Sequence, residues 1–182
     1  MSLAEPLLPC VLRAARPADA PALAALKLAC FRETFLEGFA IPYPPADRAL
    51  FEAASYGEGP VAAEIADPAH RTWVMEEEGG ALVAYAHVGP AKLPHAEVAP
   101  GDGELYQLYL LRRVQGRGLG KVLLDHALDH LAAAGAPVWL GVWSGNLKAQ
   151  HVYAGRGFAV VGGYQFPVGA WRDDELIMRR PA

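Results

Sequence analysis

The stretch of this chain whose residue types best suit chemistry is Gln115-Gly-Arg-Gly-Leu-Gly120-Lys121, which follows an apolar run and opens an apolar helical pattern. Glycines there leave backbone N–H groups uncovered and let a ligand approach closely. The helix that follows adds unsatisfied N–H groups and the positive end of its dipole, so the turn suits a pyrophosphate. Arg112, Arg113, Arg117 and Lys121 place four cations within ten residues, in a chain whose net charge is −4. An ordinary strand-to-helix turn is the plain alternative.

Two familiar phosphate motifs fail on spacing. A Walker loop needs Ser or Thr after its lysine, where Val122 stands. The dinucleotide pattern GxGxxG, begun at Gly116, requires glycine where Lys121 stands. What fits is Q-x-x-G-x-G, on Gln115, Gly118 and Gly120. Downstream, Asn146, Ala149, Tyr153 and Gly157-Phe158 follow the pattern N-x-x-A-x-x-x-Y-x-x-x-G-F. With these motifs the chain resembles the GNAT superfamily of N-acetyltransferases, and Leu108-Tyr109-Leu110 stand where that family has a bulged central strand. The motifs cover about 104–158, and the element order extends the resemblance to the whole chain. The segments WLGVWSGNLKAQHVYAGRGF, DELIMRR and FRETF, with Asp67-Pro68, look most like bacterial spermidine/spermine N-acetyltransferases.

The resemblance implies acetyl-CoA as cosubstrate and direct transfer of its acetyl group to a primary amine in a ternary complex. Such a reaction needs a neutral amine, a polarised thioester carbonyl and a proton for the departing thiolate. Carried over, Gln115, Gly116, Arg117, Gly118, Leu119, Gly120 and Lys121 would hold the pyrophosphate. Backbone groups of Leu108, Tyr109 and Leu110 would meet pantetheine and the acetyl oxygen, with the Leu110 N–H as oxyanion donor; plain strand pairing is the alternative. Asn146, Ala149 and Tyr153 share one helix face. The Tyr153 phenol would protonate the thiolate, or else pack in the core. Asn146 would touch pantetheine, or else cap its helix.

Glu104 matches the carboxylate base of histone-acetylating relatives, opening the central strand eleven residues before Gln115. In a cleft with an apolar wall its pKa would rise; a solvated charge at the strand end is the alternative. Water relayed to Glu104, or a backbone carbonyl, could also take the proton. Some relatives carry the base in the next strand, where this chain has Gly141, so that arrangement is absent. The acceptor expected is a small-molecule amine, with a polyamine preferred and Glu33, Glu37 and Asp173 as candidates for attracting a cation. Another acceptor (an amino acid, an antibiotic amine, a protein N-terminus) and a non-catalytic acyl-CoA sensor are the rivals. Dimerisation is frequent among the relatives it resembles.

Other chemistry-bearing residues read as structural. His126 and His130 have the i, i+4 spacing of a metal pair, but Ala127 stands where HExxH has glutamate, so they read as a solvated helix face with no metal. His87 and His151 could enter a cleft but each alone reads as structural, and Cys30 reads as buried. Glu76-Glu77-Glu78 read as a hairpin tip.

The elements that must position these residues follow from pattern. Segment 11–15 reads as a strand, Asp19 as the cap of a helix burying Leu23, Leu26 and Cys30, and Ile41-Pro-Tyr-Pro-Pro45 as its end. A second helix carries Leu50 and Phe51, and a short third covers about 61–66. Residues 72–88 read as a hairpin and 89–103 as a loop. Then come strand 104–111, helix 121–134, strand 138–143, helix 147–156 and strands at about 158–165 and 174–180. This order implies an α/β (α+β) fold: one mixed, mostly antiparallel sheet, splayed at its middle strands, with helices on both faces. At 182 residues and 53% hydrophobic, the chain is one domain, 1–182, with material for a core.

The composition also excludes function classes. With no basic excess the chain is no phosphate-neutralising nucleic-acid binder. Cys10 and Cys30 form no CxxC pattern, which speaks against a disulfide scaffold or zinc ribbon. No run of ~18 apolar residues would span a membrane. The opening MSLAEPLLPCVLRAA lacks a basic start, so it is not a secretory signal and a cytoplasmic location is expected.

Overall fold

The computed structural model describes residues 10–182; Met1 to Pro9, part of the stretch read above for a leader, lie outside them. A seven-stranded sheet has the order β1-β2-β3-β4-β5-β7-β6. Its strands are β1 (Cys10–Ala14), β2 (Arg71–Glu77), β3 (Leu82–Pro90), β4 (Gly103–Leu110), β5 (Val138–Trp143), β6 (Ala159–Val168) and β7 (Trp171–Arg180). The helices are α1 (Ala20–Phe31), α2 (Pro45–Tyr56), α3 (Glu58–Ala66), α4 (Leu119–Ala132) and α5 (Leu147–Ala154), with a π-helical segment Arg32–Gly38 continuing α1.

Every strand pair is antiparallel except β4–β5. That parallel pair has only three rungs, Gly103↔Val138, Glu104↔Trp139 and Leu105↔Leu140. Directly beyond them the register against β3 jumps from Val88↔Leu105 to His87↔Gln107, so Tyr106 is an extra residue on β4. Such a bulge bends its strand. β4 leaves β5, while β5 stays paired with β7 to Trp143. The sheet is therefore open at its centre, as the sequence implied, but the bulge sits at Tyr106, two residues before the Leu108–Leu110 segment expected to carry it.

Helices cover both faces. On β2, Val74 joins a cluster with Leu23, Leu26 and Cys30 of α1, while its neighbours Trp73 and Met75 join one with Leu123, Leu124, Ala127 and Leu128 of α4. This is the side-to-side alternation of a strand buried on both faces. A third, aromatic cluster joins Phe31, Tyr43, Tyr56, Phe51, Phe166 and Trp171.

Several boundaries differ from the sequence reading. Asp19 precedes α1 but makes no side-chain cap to it; its carboxylate instead accepts from Arg13 and from the Arg16 N–H, a stronger charged partnership. Helix α4 begins at Leu119, not 121, because Gly118 caps it in the left-handed region at φ 81°. Strands β6 and β7 run longer than expected because they pair with each other to the turn at Gly169-Ala170. Among the described residues no helix is long and apolar enough to cross a membrane.

Candidate active site

The opening between β4 and β5 leads into a cavity of about 1150 Å³ whose lining runs from the glycine turn to the aromatic cluster. One half is built from backbone. Gly116 and Gly118 have φ of 77° and 81°, which only glycine adopts freely, and a Cβ at Gly116 would meet nothing within 4 Å. Among the described residues, the N–H groups of Gly116, Gly118, Leu119 and Gly120 donate to no backbone acceptor; the first turn bonds begin with Lys121 and Val122 donating to the Gly118 carbonyl. Four amides at and beside a helix N-terminus are thus left to meet a ligand.

The central strand offers a second row. Leu111 N–H donates to the Val83 carbonyl at 3.0 Å and Tyr85 stands opposite Tyr109. Ladder bonds alternate along an antiparallel pair, so Leu108 and Leu110 turn their N–H and C=O groups the other way, toward the opening. Gln115 Nε2 donates to the Leu110 carbonyl at 3.0 Å, which leaves that residue's N–H as the group presented. The Tyr109 side chain points away, against Tyr85 and Phe35.

Three of the four cations, Arg112, Arg113 and Lys121, go to different places. Arg112 donates from its backbone to Glu33 and from its side chain to the Glu33 carbonyl and to Glu37. Arg113 forms a bidentate pair with Glu77 at 2.7 and 2.8 Å. Lys121 and Lys148 of α5 both line the cavity and are exposed. Glu33 and Glu37, candidates for attracting an amine, are thus partners of Arg112.

On α5, Asn146 Oδ1 accepts from Ala149 N–H at 3.0 Å, so it caps the helix and also lines the cavity. Tyr153 is 9% exposed and lies in the cavity wall, its ring edge-on to Phe158. Burial alone raises its pKa to about 12, so the phenol keeps its proton. No protein hydrogen bond engages that hydroxyl among the described residues.

The other half is built from side chains. Glu104 is 5% exposed, not solvated. Its carboxylate accepts from the Lys92 N–H at 2.7 Å, and burial raises its pKa against that hydrogen bond. Two carboxylates that the sequence did not put at the reaction centre join it from β7. Asp173 accepts from Tyr43 hydroxyl at 2.5 Å and Trp171 Nε1 at 2.8 Å. Glu175 accepts from Tyr164 hydroxyl at 2.7 Å; burial, reinforced by the like charges of Asp173 and Glu104, raises its pKa to about 7. Phe31, Phe39, Tyr43, Phe51, Trp143 and Phe166 wall this end. A carboxylate beside Gly141 was therefore present after all, brought by β7. The only sequence trace of Glu175 was its place in DELIMRR.

Of the remaining candidates, His87 lines the same cavity and the others lie elsewhere. His126 and His130 are exposed and flank the Trp73 ring edge-on at 4.9 Å. His87 is buried between Glu64 and His70, and burial first, then nearby cations, push its pKa down to about 2, so it is neutral. His151 is exposed on α5. Cys30 is fully buried, with its thiol pushed up to about 12 by burial. Among the described residues no group of three or more His, Cys, Asp or Glu could hold a metal ion.

Residues 28–158 match the family model of the acetyltransferase (GNAT) family. The chain is 30% identical to an uncharacterized N-acetyltransferase in the pepI 3'region of Lactobacillus delbrueckii subsp. lactis, over 84% of this chain and 88% of that one. It is 33% identical to streptothricin acetyltransferase of Streptomyces lavendulae, over 82% of each. In fold it is similar to the paia N-acetyltransferase from Thermoplasma acidophilum, crystallised in complex with coenzyme A, with a TM-score of 0.72 at 16% identity over 95% of this chain and 99% of that one.

Proposed function

This chain belongs to the acetyltransferase (GNAT) family, and from that premise we propose that it moves the acetyl group of acetyl-CoA directly onto the primary amine of a small cationic molecule. The observation that carries this reading is the adjacency of two unlike surfaces: the amides of Gly116, Gly118, Leu119 and Gly120 beside the open β4 edge, and a carboxylate-lined aromatic cavity beyond it. The amides hold the pyrophosphate, with Lys121 as the nearby cation. Pantetheine lies in the opening, and the Leu110 N–H receives the acetyl oxygen as negative charge grows there.

The acceptor enters from the aromatic end, where rings and carboxylates suit a cation with an apolar body. Its ammonium must lose a proton before it can attack, and Glu104 and Glu175 are the carboxylates in position to take it. Nitrogen then bonds the carbonyl carbon and the C–S bond breaks. The Tyr153 hydroxyl, kept protonated by burial, donates to the leaving sulfur.

The test is free-thiol release from acetyl-CoA across an amine panel: spermidine, putrescine, lysine, an N-terminal peptide and streptothricin, the last because a relative bears its name. Amine-dependent release with an acetylated product is expected. Calorimetric binding of acetyl-CoA without release from any amine would favour an acyl-CoA sensor instead.

A further inference from the structure

Gly141 is where a base was missing in the sequence, and its surroundings explain the glycine. A Cβ built there would lie 2.7 Å from Glu175 Oε2 and 3.0 Å from the Tyr164 hydroxyl. Both atoms are ends of side chains, so a larger residue would displace the carboxylate and leave the backbone in place. The empty position on β5 thus holds a carboxylate delivered by β7.

We propose that Glu175 takes the proton of the acceptor amine and that Gly141 is the positioning residue that gives its carboxylate room. The assignment deepens the amine-acetylation reading and rests on it. Five carboxylates line the cavity; Glu33 is bound to Arg112 and Glu64 to Lys27, and hydrogen bonds distinguish the other three. Both oxygens of Asp173 are engaged, by Tyr43 and Trp171. Glu104 is tied to the backbone N–H groups of both Lys92 and Leu93 and fixes the loop before β4, whose Leu93 side chain reaches 3.5 Å from the Gly141 Cβ position. Glu175 has one oxygen on Tyr164, while its Oε1 has no protein partner among the described residues. A carboxylate keeps about four lone-pair sites, so this one retains capacity to accept a proton.

The groups that act on it support the role. Tyr164 faces it from β6, Asp173 from its own strand, Glu104 from β4 and Gly141 from β5. Tyr43, Tyr56 and Tyr109, from the α2 region and β4, sense its charge. None of these is basic; burial first, then the like charges of Asp173 and Glu104, raises its ionisation to about 7. In the step itself the ammonium N–H bond breaks and an O–H bond forms on Glu175. The neutral amine then forms the C–N bond as C–S breaks. Tyr153 passes its proton to sulfur and recovers one from the new amide nitrogen, and Glu175 returns its proton to solvent.

Steady-state rates of Glu175→Gln, Gly141→Ala and Glu104→Gln test this with two nucleophiles. One is the panel amine of highest kcat/KM; the other is hydroxylamine, which is neutral at neutral pH and needs no deprotonation. Glu175→Gln is expected to lose about 100-fold in kcat/KM with the cationic amine and much less with hydroxylamine, while acetyl-CoA affinity is unchanged. The rise of wild-type kcat/KM with pH through about 7 should vanish. Gly141→Ala should lose about tenfold with the cationic amine, shift the same limb, and melt where wild type does. Glu104→Gln, which still accepts from Lys92, should keep the limb. Equal loss with both nucleophiles, or a limb that disappears with Glu104→Gln and persists in Glu175→Gln, overturns the assignment alone. Wild type that binds acetyl-CoA but acetylates neither nucleophile overturns the amine reading and this assignment together.

Discussion

The two halves of the cavity are made by different means. The cofactor half is main chain: two left-handed glycines, the amides that follow them, and the unpaired edge of Leu108 and Leu110. The acceptor half is side chain: Tyr43, Glu104, Tyr164, Asp173 and Glu175, held by hydrogen bonds between segments far apart in sequence. A backbone site binds the part of a ligand that never changes and tolerates most side-chain variation around it. A side-chain site can be altered one residue at a time, so it is where relatives with this fold diverge in substrate.

The largest way to break the comparison is Gly118→Asp. It puts a side chain at φ 81° and a negative charge among the amides proposed to hold the phosphate. Acetyl-CoA affinity by calorimetry should fall by at least about 100-fold, and retained affinity would remove the turn from the site. Tyr153→Phe, on the border of the halves, should lower kcat about 10- to 100-fold with acetyl-CoA affinity kept. A matching loss of affinity would instead make Tyr153 a packing residue.

Glu175→Gln also tests the acceptor half through stability. Burial raises the pKa of Glu175 to about 7 from its ordinary 4.5, so between those values the folded state holds a proton that the unfolded chain has released. Stability from this group therefore falls as pH rises through that window. The variant lacks that fall: urea melts should coincide with wild type in acid and show a gain on the order of 2–3 kcal/mol above neutrality. A gain that does not grow with pH would show that Glu175 is not ionising there.

The smallest effects sharpen the division among cations. Lys121→Ala should weaken acetyl-CoA a few-fold, more at low salt than at high. Arg113→Ala, which removes only an exposed pair with Glu77, should change stability by less than about 1 kcal/mol and leave acetyl-CoA affinity as it was. Equal losses from both would return Arg113 to the phosphate.

Much of the framework was legible because it is written locally. The alternation in β2, the apolar stripe of α4 and the glycines that let Gly118 cap it are properties of neighbours in sequence. The bulge was placed two residues late, since an extra residue is defined by what β3 offers opposite it. Arg112 and Arg113 depend on distant elements in a similar way. Four cations near a turn look like a phosphate cluster until Glu33, Glu37 and Glu77 arrive from other elements and claim Arg112 and Arg113.

Gly141 marks the boundary between the two kinds of knowledge. The amino-acid order by itself determined the strand, the vacancy on it and the glutamate in DELIMRR. That the vacancy and the carboxylate occupy one volume was decided only when β7 paired with β5 and set Glu175 opposite Trp143. A turn's geometry depends on the torsions of a few adjacent residues, whereas an acceptor pocket depends on which distant strands share a ladder, and that choice is made by the burial energy of the whole sheet.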